Sequence, residues 1–294
     1  MTNLNEQYID AVRQCEPLLP KNLYYMKSAS AWSVIDKAFA RITGRNVSFS
    51  DRIVDFGCGG GDTTIHLIEK GYDVHGVDIL EYWGKDAGLY GAVAPVVPDQ
   101  FKARLHVLDQ SDHKLPFADE TISLVFSDQT LEHVFDHRSV FAEQARVLKP
   151  GGLAIHRFPR VFTRIELHTQ LPLAPLSRFR TYLTICAILG LRNSRQSGMD
   201  WRTTVESNLR LYATTNHLSN RKILDEAKGL GFDARFVDLL DIGTGRAAQL
   251  YRKAVTARIG SIAKLALGAL QDNRMLVLQK TSTGHREGPG KRNE

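Results

Sequence analysis

The segment Ile53-Val54-Asp55-Phe56-Gly57-Cys58-Gly59-Gly60-Gly61-Asp62 constrains this chain more than any other stretch. It reads as a buried strand that runs straight into a glycine-rich turn, with a helix from about Thr63 to Lys70 behind it. Glycines at 57, 59 and 61 let the backbone turn tightly and approach a ligand with no Cβ in the way. The first N–H groups of the helix point at the same place, because they have no partner within the helix. Together these features specify a nucleotide-type cofactor site.

The spacing narrows the choice of cofactor. A dinucleotide fingerprint has the form G-x-G-x-x-G, and its third glycine would fall where this chain has Asp62. An aspartate at a helix N-terminus is a good cap but repels a pyrophosphate. The observed pattern is Asp-x-Gly-x-Gly-x-Gly, with an acid two residues before the first glycine. A cofactor with a cationic centre and no phosphate fits it better. S-adenosylmethionine, with a sulfonium, an ammonium and one carboxylate, is such a molecule.

Asp55-Phe56-Gly57-Cys58-Gly59-Gly60-Gly61 resembles the first motif of the class I S-adenosylmethionine-dependent methyltransferases. Three further pieces follow in that family's order. Tyr72-Asp73-Val74-His75-Gly76-Val77-Asp78-Ile79 is similar to the second strand, which implies that Asp78 holds the ribose hydroxyls. Leu108-Asp109-Gln110, followed by Leu115-Pro116-Phe117-Ala118-Asp119, resembles the third strand and its adenine-binding acid, Asp109. Leu124 to Val134 then runs into Glu143-Gln144-Ala145-Arg146-Val147-Leu148-Lys149-Pro150-Gly151-Gly152, which looks like the branch that methylates small molecules. The resemblance covers residues 50 to 156 strongly and 217 to 280 loosely. It implies a seven-stranded, mostly parallel, Rossmann-like α/β sheet. The implied cofactor contacts are Asp55, Gly57, Cys58, Gly59, Gly61, Asp78, Ile79, Asp109, Gln110, Ser127 and Gln129.

The residue pattern supports that frame independently. Strand-like runs at 52–56, 74–78, 104–108, 122–126 and 153–158 alternate with helical patterns, as in a parallel sheet covered on both faces. Ligands then bind beyond the carboxyl ends of the strands. Asp55, Asp78, Asp109 and Ser127-Asp128 all fall at those ends. Any one of these residues alone reads equally well as a turn or a cap; the ordered set carries the functional reading.

At 294 residues and 43% hydrophobic content, one large domain, or one domain with an inserted cap, is expected. We divide it into a helical lid at 1–45, a methyltransferase-like domain at 46–281 with a basic insert at 159–212, and a disordered polar tail at 282–294. Within the lid, helices are expected at Glu6 to Leu18 and Ala29 to Ile42. Tyr24, Tyr25 and Met26 then fall between the two, either against the cofactor's methionine end or as a staple of the lid. Cys15, Cys58 and Cys186 form no metal or disulfide spacing, which suits a reducing cytoplasm. The first residues lack the basic and apolar blocks of a signal peptide. The longest apolar stretch, Tyr182 to Leu191, is about half a membrane span.

The net charge of +6 has an informative location. Nine arginines lie between Arg157 and Arg210, against three acids and no lysine, so this segment accounts for the whole excess. Arginine without lysine suggests planar recognition of phosphate or carboxylate; a solvated basic face is the alternative. Arg157, Arg160 and Arg164, with Glu166, are the acceptor-binding candidates. Leu176 to Leu191 reads as an amphipathic helix, used either as a substrate lid, which is the simpler use, or for shallow attachment to an anionic membrane. Arg164-Ile165-Glu166-Leu167-His168-Thr169-Gln170-Leu171-Pro172 is loosely similar to methyltransferases of bacterial glycan biosynthesis, which implies a sugar or sugar-nucleotide acceptor. Residues 232–240 and 274–280 look like an antiparallel pair at the sheet edge, with a basic helix at Arg246 to Leu270 between them that either caps the site or mediates dimerisation.

An oxygen acceptor of high pKa needs a base, and histidine suits neutral pH. His168, in the insert, and His133 are the catalytic candidates, while His156 reads as core. Some relatives hold a metal through Glu-x-x-Glu-His; here Gln129 takes the first position, so no metal is expected, although Asp128, Glu132 and His133 leave a weak site conceivable. The expected activity is O-methylation of an anionic small molecule or glycan end, by a cytoplasmic monomer or homodimer. The competing readings are an RNA methyltransferase and a non-catalytic subunit that kept the fold. A sequence pI of about 9.2 speaks for RNA. Few aromatics, no lysine in the basic segment and no appended module speak against it.

Overall fold

Strand β1 (Arg52–Phe56) has residues buried towards both faces, as a central parallel strand requires. It pairs in parallel with β2 (Asp73–Asp78) on one side and β4 (Ile122–Asp128) on the other. β3 (Leu105–Val107) extends the sheet beyond β2. β5 (Leu148–Pro159) lies beyond β4, and β7 (Asn273–Lys280) and β6 (Phe232–Val237) complete it. The strand order is β3-β2-β1-β4-β5-β7-β6, with β7 antiparallel to both of its neighbours. The seven strands and the antiparallel pair agree with the expectation from sequence. This computed structural model describes residues 22–79, 81, 83, 99–109, 114–160, 165–166, 169–193, 196–213, 215–216, 218–243, 246–256 and 272–281.

Two apolar layers sandwich the sheet. On one face Trp32, Ile35, Ala38 and Phe39 of α1 (Asn22–Thr43) pack with Leu67 of α2 (Asp62–Glu69) against Ile53, Val74, Leu124, Phe126 and Ile155. On the other, Val140, Phe141 and Val147 come from α4 (His137–Val147), and Ile223 and Ala227 from a later helix, Asn220–Lys228. They meet Val54, Phe56, Val77 and Val125. Residues 32, 35 and 39 follow helical spacing, so α1 buries one stripe. A short helix, α3 (Asp99–Lys102), precedes β3.

This corrects the lid in two respects. From Ala31 onward, α1 is a layer of the core. Tyr24, Tyr25 and Met26 lie within that helix and not between two helices. The expected helix at Glu6 to Leu18 and the tail at 282–294 lie outside the described residues. β5 also begins at Leu148, five residues before the expected start. Lys149-Pro150-Gly151-Gly152 reads as a turn, but it is absorbed as an irregularity in the pairing between Ile122–Leu148 and Leu124–Leu153.

After β5 the insert carries α5 (Arg180–Ile188) and α6 (Trp201–Ala213), shorter than the helix expected over Leu176 to Leu191. Leu171, Leu183, Cys186, Ala187 and Val205 give it a small core of its own. The insert returns to the sheet at Asn216, whose N–H donates to Glu132 O at 2.5 Å and whose Nδ2 donates to Val134 O at 2.9 Å. Next come α7 (Asn220–Lys228), β6, α8 (Leu239–Ile242) and α9 (Arg246–Thr256). Of the basic helix expected to reach Leu270, only α9 is described. No helix among the described residues is long and apolar enough to cross a membrane.

Arg146 of α4 secures the loop before β4. Its guanidinium donates to Leu115 O at 3.0 Å and Phe117 O at 2.9 Å, and it pairs with Glu143 and Asp119 at 2.8 and 2.7 Å. Substituting Arg146→Ala leaves two carbonyls without this donor, and is expected to lower stability by about 2 kcal/mol. Thermal or urea unfolding checks this; a variant as stable as the parent would show that the loop is held by other contacts.

Candidate functional site

The carboxyl ends of β1, β2 and β4 bring the acids together. Asp55, the penultimate residue of β1, is buried, and its Oδ2 accepts from Thr64 Oγ1 at 2.9 Å. Thr64 belongs to the first turn of α2, so this bond joins strand and helix across the glycine loop. Burial raises the Asp55 carboxyl to about 7; the Thr64 bond opposes the rise, and the charges of Asp128, Asp78 and Asp62 add to it. Burial also raises Asp62.

The loop is pinned to β2 by its own amides. Gly57 and Cys58 N–H both donate to Val77 O, at 2.8 and 3.1 Å. Gly59 N–H donates to Asp78 Oδ2 at 2.8 Å, and Ile79 N–H to Asp78 Oδ1 at 2.7 Å. Gly57 and Gly59 have φ of +78° and +53°, a region that favours glycine. Their surroundings differ. A Cβ on Gly57 would lie 2.2 Å from Thr130 Cγ2, whereas one on Gly59 would meet nothing within 4 Å. Gly57 is a packing glycine; Gly59 presents bare backbone to open space. Gly61, also at positive φ, faces Leu105. The Cys58 thiol is half-buried beside Trp83, Phe101 and Leu105, and burial pushes it up.

Several sequence candidates are committed elsewhere. Ser127 is fully buried, and its hydroxyl is 2.8 Å from His156 Nδ1. His156 Nε2 lies 3.1 Å from Gln144 Oε1, so the ring donates there and accepts from Ser127. Burial lowers His156 to about 3, which makes it the core histidine expected. The Ser127 side chain is therefore a core group rather than a cofactor contact. Arg157 makes a fork to Asp128, Nε to Oδ1 and Nη2 to Oδ2, both at 2.6 Å. Burial pulls its pKa down, and the Asp128 hydrogen bond and charge more than restore it. Its charge is thus already matched, contrary to a role as an acceptor ligand. Glu166 is buried and accepts from Thr169 N–H at 2.5 Å, closing the 166–171 loop on itself instead of facing a substrate.

Other candidates stay near the rim. Gln129 has φ +58° just past β4, donates its backbone N–H to Arg157 O at 2.8 Å, and reaches Asn273 Oδ1 with Nε2 at 2.9 Å. Such strain in a non-glycine residue is typical of functional rims. Asp109 is exposed just beyond β3. His133 ends a single 3₁₀ turn, Leu131–His133. Arg160 follows β5; its Nη2 is 3.8 Å from Asp238 Oδ1, and its Nε is buried with no hydrogen-bond partner among the described residues. Gln110, Arg164 and His168 lie outside the described residues. Among the described residues, no group of three or more His, Cys, Asp or Glu could hold a metal ion. Sequence reading missed Thr64, Thr130 and Asn273. Thr64 was recoverable as the first-turn hydroxyl nine residues after Asp55; the other two contacts depend on tertiary packing.

Comparison with known proteins agrees with this geometry. Residues 54–156 match the family described as "Methyltransferase domain". The chain is 33% identical over 115 residues to a ubiquinone biosynthesis O-methyltransferase of Hahella chejuensis, covering 38% of this chain and 46% of that protein. It is 28% identical over 144 residues to the 27-O-demethylrifamycin SV methyltransferase of Amycolatopsis mediterranei, covering 47% and 51%. It is 29% identical over 103 residues to a sterol 24-C-methyltransferase of Gibberella zeae, covering 35% and 26%. The chain thus spans about half or less of the length of these relatives. The stretch that builds the acidic rim is the part of the chain that matches this domain family.

The raised Asp55 has a thermodynamic consequence. The folded protein retains a proton that the unfolded chain releases near pH 3.8, so stability is fully present below that value and is lost as pH rises through about 7. Asp55→Asn keeps an acceptor for Thr64 and removes the titration. In unfolding experiments without ligand, its stability should vary less between about pH 4 and 8 than the parent's, by a few kcal/mol. Parallel curves would refute the assignment. In the same assay Gly57→Ala should be strongly destabilised by its clash with Thr130, by about 3 kcal/mol or more.

Proposed function

We propose that this chain is an S-adenosylmethionine-dependent O-methyltransferase whose acceptor is an anionic small molecule, with a sugar, sugar nucleotide or glycan end as the favoured class. The observation that carries the cofactor assignment is the glycine loop ringed by Asp55, Asp62 and Asp78. This rim is electrostatically hostile to a pyrophosphate and complementary to a cation. Gly59 leaves bare backbone beside Asp78, with no described atom within 4 Å of where a Cβ would stand, which supports close approach of the cofactor there. Asp78 and Asp109 are assigned to ribose and adenine on the motif resemblance. When bound, the cofactor supplies a methyl group on a sulfonium, an electrophile that needs no further activation.

The chain's own part is alignment, exclusion of water and proton removal. His168 is the proposed base, with His133 the second candidate. Buried His137 and His156 are unsuited, because burial lowers them to about 4 and 3. With Arg157 held by Asp128, Arg160 is the described arginine best placed to meet an acceptor anion. Relatives that methylate oxygen support an oxygen acceptor here.

Two measurements test this reading. Calorimetry with S-adenosylhomocysteine should show binding, weakened at least tenfold by Gly59→Ala or Asp78→Ala. Gly59→Ala should cost only about 1 kcal/mol of stability, since its new Cβ has room. Absence of binding to the parent would end the proposal. A cationic ligand also drives Asp55 towards its ionised form, so affinity for S-adenosylmethionine should rise with pH through about 7, and lose that dependence in Asp55→Asn. A mass-spectrometric screen for methyl transfer to nucleotide sugars and glycans then addresses the acceptor. Arg160→Ala should raise KM for an anionic acceptor while leaving cofactor affinity unchanged.

A further inference from the structure

The insert exposes apolar side chains that its own small core does not use. In α5, Leu183, Cys186 and Ala187 face inward, while Ile185, Ile188 and the following Leu189 face solvent. Ile188 and Leu189 are 63% and 69% exposed. Leu191 and Trp201 are exposed as well. Contacts along the two helices set their direction. Arg180 pairs with Glu206 at one end, and at the other Arg192 donates to Met199 O and to Ala187 O. The helices therefore form an antiparallel hairpin. The C-terminal end of α5 and the start of α6 share its tip, which brings Ile188, Leu189, Leu191 and Trp201 to one end of the insert.

Two arginines, Arg192 and Arg202, lie at this tip with one acid, Asp200. Arg202 lies over the Trp201 ring at 4.7 Å, and Arg178 over Phe179 at 4.7 Å, near the other end. The described acids of the insert are engaged. Glu206 pairs with Arg180, Glu166 closes its loop, and Asp200 accepts from Arg202 and Thr203 N–H at the start of α6. An exposed aliphatic cluster with an indole, and an arginine whose guanidinium lies on that ring, matches the boundary between acyl chains and anionic headgroups. We propose that the hairpin tip seats this protein on an anionic membrane surface. Ile185, Ile188 and Leu189 would enter the acyl boundary, and Arg192 and Arg202 the headgroup layer. This goes beyond the proposed methyl transfer and does not depend on it.

Flotation with phosphatidylcholine vesicles, with and without about one-third phosphatidylglycerol, tests the proposal. The full chain should float with the anionic vesicles and not the neutral ones, and high salt should reduce binding. Ile188→Ser combined with Leu189→Ser should lower partitioning at least tenfold, and so should Arg202→Glu. Unchanged cooperative unfolding would show that both variants remain folded. Failure of the parent to float overturns the proposal, as does equal flotation by the apolar variant. Concentration-dependent dimerisation that the apolar variant abolishes, with no vesicle binding by the parent, also overturns it by assigning the tip to a second copy of the chain.

Discussion

The hydrogen bond from Thr64 to the buried carboxyl of Asp55 is the contact on which the candidate site depends. It spans the glycine loop, tying the end of β1 to the first turn of α2. The loop between them is therefore held at both ends and can present Gly59 with its backbone bare. The second tie, from Gly59 N–H to Asp78, sets the loop against β2. Both ties place acids at the rim, and a third, Asp128, closes the group from β4. Burial disfavours the ionised form of Asp55, and the neighbouring negative charges add to that cost, which is why Asp55 holds its proton towards neutrality. A cationic ligand relieves that cost. The rim is thus unfavourable in isolation in the same sense that it favours a sulfonium or an ammonium.

Asp128 shows how neighbouring charges are kept apart. Its two oxygens are taken by Arg157 on the adjacent strand, across the register pair Asp128–Arg157. The fork offsets this acid on the β4–β5 side, although its charge still adds to those of Asp78 and Asp62 at Asp55. Gln129, at positive φ, turns the chain immediately afterwards and links to β7 through Asn273. The left-handed turn is supported from two strands, which is what an unfavourable backbone conformation needs in order to persist.

The sheet was legible in the sequence because its strands are buried on both faces and read as apolar runs between helical patterns. The placement of Asp55 and Asp78 at the carboxyl ends of their strands, and of Asp109 just beyond β3, was legible from the strand pattern. Other residues were not legible, each for a physical reason. Ser127 and Gln129 both lie near the end of β4, but only the former turns inward, where His156 and Gln144 complete a buried network. The start of β5 was hidden by Lys149-Pro150-Gly151-Gly152, whose turn chemistry is used for a pairing irregularity. The continuity of α1 through Tyr24 to Met26 was hidden because the apolar stripe becomes evident only further along.

The arginines show where composition misleads. Nine arginines without a lysine suggested anion recognition, yet several of the described guanidiniums serve the protein itself. Arg157 forks to Asp128, Arg180 reaches Glu206, and Arg192 donates to carbonyls at the end of α5 and the start of α6. Arg178 and Arg202 lie on aromatic rings. Lysine would serve each of these positions less well, since it has neither a planar fork nor a flat face. Much of the arginine preference therefore follows from building an insert with a five-residue buried cluster, too small to be stable on apolar burial alone. Arg160 differs. Its Nη2 stands 3.8 Å from Asp238, beyond a good hydrogen bond, and its buried Nε has no hydrogen-bond partner among the described residues. A buried donor without an acceptor is costly, and an anionic group at the rim would supply the missing acceptor. The case for an acidic acceptor accordingly rests on this one guanidinium more than on the count of arginines.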